Sequence, residues 1–435
     1  MTNSRKPIAS LRWWIGGLLF ASTVINYIDR QTLSLLAPYL KLEYHWTNSD
    51  YATLVIAFRV AYTMGQSAFG RLIDRTGTRR GLTLTVFFYS MVSMLTSLAR
   101  GFYTFAWFRF LLGAGESANW PAATKAVSEW FPKRERALAT ALFDSGSSLG
   151  GAVAPLIVFW IYSRWGWRPA FAVPGVLGFL WLLAWRRLYY LPEEHEEISA
   201  SEREMILVDR RDRNDLRPEP PRPRWSDLLK LPQTWGTIIA KAFSDPVFFF
   251  IADWFPIYLG GKGIELKSNW LTVGIPFIAA DAGSFFAGWF SGYLIRRGIS
   301  LGWARRVPII CGGLGMTLLI FSIFTTNPHV IALLFAIVTF TYAGFTIMAN
   351  TLPSDLFESG SVASVSGLGG TGTGVGTILA TALIGHVSDT RQATGTHAFD
   401  PIVIVAGIIP LIGMILTLLL VRNNEATERG LVRRI

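Results

Sequence analysis

Four ionisable side chains interrupt apolar stretches in the N-terminal part of the chain. Asp29 and Arg30 lie in Asn26-Tyr27-Ile28-Asp29-Arg30-Gln31, and Arg109 and Glu116 bracket Arg109-Phe110-Leu111-Leu112-Gly113-Ala114-Gly115-Glu116. A charge inside a bilayer costs about 2.5–3.5 kcal/mol on insertion scales, so each needs a task. The planar fork of Arg30 suits bidentate recognition of a carboxylate, which a lysine does not copy. Asn26, Arg30 and Ser34 recur at i, i+4 and i+8 and share a helix face. Asp29 points about 100° away and is expected to pair elsewhere among the N-terminal helices. Seven residues put Arg109 and Glu116 on one face, about 10 Å apart along the axis. Small residues precede Glu116, so a neighbouring helix can approach it, and burial disfavours an ionised carboxylate. Glu116 is therefore a candidate proton carrier whose proton affinity depends on a nearby base. A bound anion that claims the base would release the carboxylate to protonate, which couples an acidic solute to a proton.

Other polar groups fall at helical spacing. Arg59, Tyr62 and Gln66 share a face, and Tyr62 and Gln66 offer hydroxyl and amide groups of the kind that bind sugars. Asp144, Lys241, Asp245, Asp253 and Asp281 are further charges within apolar segments. For all of these the competing reading is a fixed ion pair that holds helices in register. Lys241 is expected near the cytoplasmic end of its helix, where it can snorkel. Asp253, beside Trp254 and before Pro256, is either a gate residue or an interfacial one.

The elements that must position these groups are membrane spans. The chain of 435 residues is 51% hydrophobic and 16% charged, with a mean hydropathy of +0.37. Soluble domains carry about 25% charged residues. A spanning helix needs about 20 mostly apolar residues. Twelve such segments fit: 13–38, 51–71, 81–99, 102–127, 138–163, 168–190, 236–259, 271–295, 307–325, 328–352, 361–387 and 401–421. The first is longer than a signal-peptide core and is expected to stay.

The net charge of +11 is not a nucleic-acid footprint, because the bases sit in alternate loops. Arg5, Lys6 and Arg12 precede the first span; Arg71, Arg75, Arg79 and Arg80 follow the second; Lys133, Arg134 and Arg136 follow the fourth. Arg186 and Arg187 follow the sixth, Arg296, Arg297, Arg305 and Arg306 the eighth, and Arg422, Arg429, Arg433 and Arg434 the last. The positive-inside rule then puts both termini in the cytoplasm. The loop after span ten, with Asp355 and Glu358, is the exception. The single cysteine, Cys311, reads as a small buried apolar residue, and no metal-ligand cluster is present in the sequence.

Residues 191–235 differ from their surroundings, with Glu193, Glu194, Glu196 and Glu197, Arg/Asp pairs, and Pro218, Pro220, Pro221 and Pro223. They read as a cytoplasmic linker with a short amphipathic helix near 200–212, between six-span bundles at 1–190 and 236–435. Gly146-Ser147-Ser148-Leu149-Gly150 in the fifth span is echoed by Gly372-Thr373-Gly374-Val375-Gly376 in the eleventh. Parallel halves fit this echo. The glycines suit either close packing or a moving interface.

Gly70-Arg71-Leu72-Ile73-Asp74-Arg75-Thr76-Gly77-Thr78-Arg79-Arg80 reads as a charged turn at a bilayer face. It resembles the signature loop between helices 2 and 3 of the major facilitator superfamily, which assigns Gly70, Asp74, Arg75, Gly77, Arg79 and Arg80 to a conformational gating loop. Asn26 to Arg30, Arg109 to Glu116, Asn119-Trp120-Pro121-Ala122-Ala123-Thr124-Lys125 and Glu129-Trp130-Phe131-Pro132 resemble the anion:cation symporter family. Ser354-Asp355-Leu356-Phe357 and Ser364-Val365-Ser366-Gly367-Leu368-Gly369-Gly370 look most like its hexuronate transporters. The resemblance implies an all-α integral membrane protein of the inner membrane, with twelve transmembrane helices in two six-helix bundles, that takes up an organic acid with protons. It implies that Arg30 binds the substrate carboxylate, that Tyr62 shares that site, that Glu116 is protonated, and that Asp29 and Arg109 complete the coupling network. Galactonate carriers place a glutamine where this chain has Ser147, and an asparagine near Gly370 or Thr371, so galactonate specificity does not transfer simply. Asn350 is a further candidate for sugar hydroxyls.

The expected function is import of a small organic anion, a hexuronate or related sugar acid, with the proton as coupling ion and no other cofactor. A monomer in the bilayer is the expected state. The alternative is a facilitator-fold anion exchanger or efflux antiporter. Antiporters of this fold often carry Gly-Pro in helix 5, where this chain has Ala154-Pro155, which counts against efflux. A transport-derived receptor would favour an added domain larger than the linker. An enzyme is not expected, since no nucleophile–base constellation appears.

Overall fold

Backbone amides in hydrocarbon have no water to bond, so an apolar stretch satisfies them within its own helical ladder. The computed structural model describes residues 7–46, 48–210, 223–264, 270–390 and 399–421, and among them helices account for nearly all regular structure. The exception is an isolated bridge between Ile8 and Ile198. The first rods are α1 (Leu11–Tyr44), α2 (Asn48–Thr76), α3 (Thr78–Thr96), α4 (Phe102–Glu116) continued by α5 (Asn119–Trp130), α6 (Lys133–Trp165) and α7 (Trp167–Leu188). Two short helices follow, α8 (Ala200–Arg210) and α9 (Trp225–Leu228). Then come α10 (Pro232–Gly261), α11 (Trp270–Arg296), α12 (Leu301–Met316) continued by a 3-10 segment (Thr317–Phe324), α13 (Pro328–Leu356), α14 (Val362–Thr390) and α15 (Asp400–Leu420). Five of these stretches are long and apolar enough to cross a membrane on composition alone: Lys133–Trp165, Trp167–Leu188, Leu301–Phe324, Pro328–Leu356 and Asp400–Leu420. Leu156, Leu183 and Ile278 stay 73%, 70% and 72% exposed, an outer surface suited to hydrocarbon.

The chain forms two compact units: Met1–Arg222 with Glu358–Gly367, and Pro223–Phe357 with Leu368–Ile435. Within each, glycines set the closest helix approaches. A Cβ on Gly150 of α6 would fall 2.7 Å from the Val24 carbonyl oxygen of α1, and one on Gly376 of α14 would fall 2.5 Å from that of Ala242 on α10. A Cβ on Gly113 of α4 would meet the Phe58 carbonyl oxygen of α2 at 2.4 Å, and one on Gly283 of α11 would meet that of Phe340 on α13 at 2.2 Å. The same pairs of rods are thus cinched in both halves. The glycines echoed in the sequence pack helices inside their own unit.

Several expectations need correction. The charged turn at 70–80 is almost wholly helical: α2 runs to Thr76, α3 starts at Thr78, and Gly77 alone, at φ 81°, reverses the chain. The fourth span breaks at Ser117–Ala118. Pro121 has no N–H for the carbonyl of Ser117, so the ladder is interrupted just after Glu116. Cys311, in α12, is exposed and not buried as expected. The acidic exception after span ten is neutralised, because Asp355 is still inside α13 and pairs with Arg305 at 2.7 Å. Arg5, Lys6, Arg422, Arg429, Arg433, Arg434 and the Asp253 side chain lie outside the described residues.

The amphipathic helix expected near 200–212 is α8. Its Glu202 accepts from the backbone N–H of Leu11 at 3.0 Å and of Arg12 at 3.2 Å, so it caps α1 from outside the helix. The same carboxylate pairs with the Arg12 guanidinium at 2.7 Å, and Glu135 pairs with its other side at 2.7 Å.

Candidate functional site

The break after Glu116 leaves that carboxylate at the last turn of α4, fully buried, facing α1. Arg30 Nε donates to Glu116 Oε2 at 2.6 Å. The Arg30 guanidinium lies over three rings, Tyr62 at 4.4 Å, Tyr27 at 4.9 Å and Phe58 at 5.3 Å from their centroids. The Arg109 guanidinium also lies over Phe58, 4.7 Å from its centroid. Cation–π contacts of this kind hold a guanidinium plane without spending its hydrogen bonds. Arg30 uses only Nε, and its two terminal nitrogens make no hydrogen bond among the described residues.

Around this pair lies a set of buried polar atoms without hydrogen-bond partners among the described residues. They include both amide atoms of Asn26, Asp29 Oδ1, Nε and Nη1 of Arg109, and Glu116 Oε1. Asp29 is in electrostatic contact with Glu116, Arg109 and Arg30. An unmade hydrogen bond of a buried group costs about 1–3 kcal/mol, more for a charged one. Groups this costly gathered in one place make this cluster the candidate site of the first unit.

The structure therefore brings Asn26, Asp29, Arg30, Tyr62, Arg109 and Glu116 together in the first unit. Gln66, one turn beyond Tyr62, is buried, with its backbone carbonyl against Gly367. Ser147 turns its hydroxyl back to the Asp144 carbonyl at 2.7 Å and lies beside Tyr27. Asn350 and Thr371 belong to the second unit.

The residues expected to gate are built around Asp74. Its carboxylate accepts from Lys125 Nζ at 3.0 Å and from the backbone N–H groups of Ala363 at 3.3 Å and Ser364 at 2.6 Å. It thus caps the first turn of α14, where a helix favours negative charge. Gly70 lets that turn approach, since a Cβ there would lie 2.3 Å from the Ala363 carbonyl oxygen. Arg79 donates to the Arg186 carbonyl at 2.7 Å and stacks 3.9 Å above Tyr190. Arg75 and Arg80 stay exposed.

The second unit holds a cluster that sequence spacing did not assemble. Lys241 does not snorkel out. Its ammonium lies 3.2 Å from Asp245 Oδ2 and donates to Asn350 Oδ1 at 2.9 Å. Asp245 also accepts from Tyr342 at 3.1 Å, Thr346 at 3.3 Å and Thr373 at 2.6 Å. The i, i+4 spacing of Lys241 and Asp245 was the available signal; the hydroxyls of α13 and α14 were not predictable from it.

Comparison with known proteins gives the same fold. The family model described as Major Facilitator Superfamily matches residues 19–381. The chain is 28% identical to the hexuronate transporter of Escherichia coli (strain K12), over 97% of each chain. It is 29% identical to the D-galactonate transporter of Escherichia coli O6:H1, over 96% of this chain and 97% of the other. The solved structure of the proton:xylose symporter XylE bound to 6-bromo-6-deoxy-D-glucose aligns with a TM-score of 0.71 at 14% identity, over 94% of this chain and 95% of that one.

Proposed function

The chain belongs to the Major Facilitator Superfamily, a family of multi-pass membrane transporters, and we propose that this member imports a sugar acid, a hexuronate in the first instance, by proton symport with alternating access. The observation that carries the reading is Arg30: half-buried among rings, tethered through Nε alone, with both terminal nitrogens unspent among the described residues. That is the half of a bidentate pair that a carboxylate completes. The hexuronate and galactonate transporters among its relatives support the substrate class. Ser147 in place of a glutamine supports a preference other than galactonate.

Coupling follows from the shared base. A substrate carboxylate on the Arg30 fork competes with Glu116 for the same positive charge. Glu116 then gains from taking a proton, and Asp29 and Arg109 adjust the field around it. Release of the anion returns Arg30 to Glu116, which gives up the proton. The proton is the only co-substrate this cycle needs. The alternation of basic loops supports both termini in the cytoplasm of an inner-membrane protein. A single chain carries the whole cycle, so a monomer suffices.

The test is uptake of labelled glucuronate and galacturonate by proteoliposomes, with and without an inward proton gradient. Accumulation that collapses with a protonophore is expected. Uptake that ignores the gradient but requires internal anion would replace symport with exchange. No uptake of either sugar acid would overturn the substrate class.

A further inference from the structure

Two charge pairs among the described residues of the second unit are built differently. Arg305 and Asp355 are a closed staple. Both are sealed, at 1% and 0% exposure; Arg305 Nε meets the carboxylate at 2.7 Å and its Nη1 meets Ser291 at 2.6 Å. Lys241 and Asp245 are not sealed: the Lys241 side chain keeps 16% of its surface exposed. Asp245 is saturated, since it accepts from Lys241 and from the hydroxyls of Ser244, Tyr342, Thr346 and Thr373. Lys241 is not. An ammonium has three donors, and two are spent, on Asp245 and Asn350. No third acceptor stands among the described residues.

Its neighbours hold the rest of the side chain in place. Lys241 follows Pro232 by nine residues, about 13 Å along α10, well inside the helix. Its stem runs past Gly369 of α14, where a Cβ would lie in ordinary contact with Lys241 Cδ at 3.4 Å. Gly372 and Gly376 bring α14 against α10 on the same side, with Cβ positions 2.8 Å from Ile238 and 2.5 Å from the Ala242 carbonyl oxygen. Asn350 and Asp245 then fix two corners of the ammonium and leave the third corner directed away from both.

We propose that Lys241 binds a hydroxyl or carbonyl oxygen of the transported solute, with Asp245 and Asn350 as its positioning residues. The charge of the ammonium is already matched by Asp245, so the group it recognises is a neutral oxygen, and the site reads the polyol part of a sugar acid. This assigns Asn350, whose Oδ1 is occupied by Lys241, a supporting part in hydroxyl recognition. The inference rests on the proposed sugar-acid function, and its test separates the two.

The experiment is counterflow of labelled galacturonate and glucuronate in proteoliposomes of the full chain, comparing Lys241→Met, Lys241→Gln, Asp245→Asn and the double variant Lys241→Met/Asp245→Asn. If Lys241 contacts the solute, Lys241→Met raises KM about tenfold or more with the maximal rate largely kept. The double variant keeps the raised KM although its charge is balanced again. Lys241→Gln, which retains a donor, falls between, and it carries the test if the methionine variant does not assemble. If Lys241 serves only as counter-ion to Asp245, the double variant returns to the wild-type KM, and the proposal is overturned. An unchanged KM in Lys241→Met overturns it as well, while normal wild-type counterflow leaves the sugar-acid function standing. Absence of counterflow in the wild type would overturn both.

Discussion

Three rings hold the guanidinium of Arg30 in place while most of its hydrogen bonds stay available, and this makes its identity testable with a charge-conserving change. Lysine at this position keeps the charge but loses the planar fork and its stacking. Arg30→Lys is expected to weaken sugar-acid binding about tenfold or more, or at least about 1.4 kcal/mol, by isothermal calorimetry on the purified protein. Equal affinity in the two forms would remove Arg30 from the site. This part of the candidate site was legible in the sequence because a charge in an apolar segment is expensive, so Asp29, Arg30, Arg109 and Glu116 stand out individually as candidates. Their partners were partly legible: helical spacing put Arg109 and Glu116 on one face but did not show that Arg30 of α1 closes on Glu116 of α4. Lys241 shows where such reading stops. A lysine near a span end has two lives, snorkelling outward or pairing inward, and only the packing of α13 and α14 decides between them. Arg305 looked like a loop base for the same reason; its burial depends on Asp355, fifty positions away.

Elements carry their own lessons. The spans were legible because hydrocarbon permits little except helix, yet their ends were not. Helices α2 and α3 absorb nearly all of a turn that its charges and glycines suggested: Asp74 is taken up by Lys125 and the start of α14, Arg79 reaches the Arg186 carbonyl, and Arg75 and Arg80 stay exposed. The linker shows the reverse case, a charged segment with specific structure. His195 is 3% exposed, Nε2 lies 3.0 Å from the Leu188 carbonyl, and Nδ1 accepts the Glu197 N–H at 3.1 Å. Those two partners define a neutral ring with its proton on Nε2. Trp130 and Tyr190 flank it edge-on, and Glu197, Arg187 and Arg203 are the charged groups around it. Burial, the largest influence, pushes the imidazole below its ordinary 6.5, against the opposing pull of the Leu188 carbonyl and Glu197. A base with a lowered native value is more easily protonated when the segment is open. The contribution of His195 is therefore complete above about 6.5 and declines as pH falls below it. A second proton would also set Nδ1–H against the Glu197 N–H. Hydrogen exchange in 189–203 is expected to quicken as pH drops from about 7 to 5.5, beyond the intrinsic rate change, and to lose that dependence in His195→Gln. Equal pH profiles in both proteins would show that the ring does not govern the segment.

At the scale of the molecule, what matters is the sum of buried charge through a transport cycle. In the first unit Arg30 and Arg109 balance Asp29 and Glu116 when all four are ionised. Adding a substrate carboxylate leaves one uncompensated negative charge in a region where such a charge is costly. One proton on Glu116 restores the balance, so anion and proton enter the low-dielectric interior together more readily than either does alone. Glu116→Gln fixes the neutral state permanently. The anion still finds Arg30, now released from its carboxylate, and the loaded unit is neutral without any proton having been carried. The cycle of the variant can then exchange labelled for unlabelled solute, but it has no means of drawing on a proton gradient. The expected result in proteoliposomes is near-normal counterflow, a KM no higher than that of the wild type, and no accumulation above the external concentration under an inward proton gradient. Counterflow should also lose the pH dependence of the wild type, because the group that titrates has been removed. Gradient-driven accumulation by Glu116→Gln would place the coupling proton elsewhere, with Asp29 as the next carboxylate of the cluster to replace. Loss of counterflow together with accumulation, in a variant that remains folded and monodisperse, would instead show that Glu116 is needed to hold Arg30 in position for the anion, so that recognition and coupling rest on the same bond.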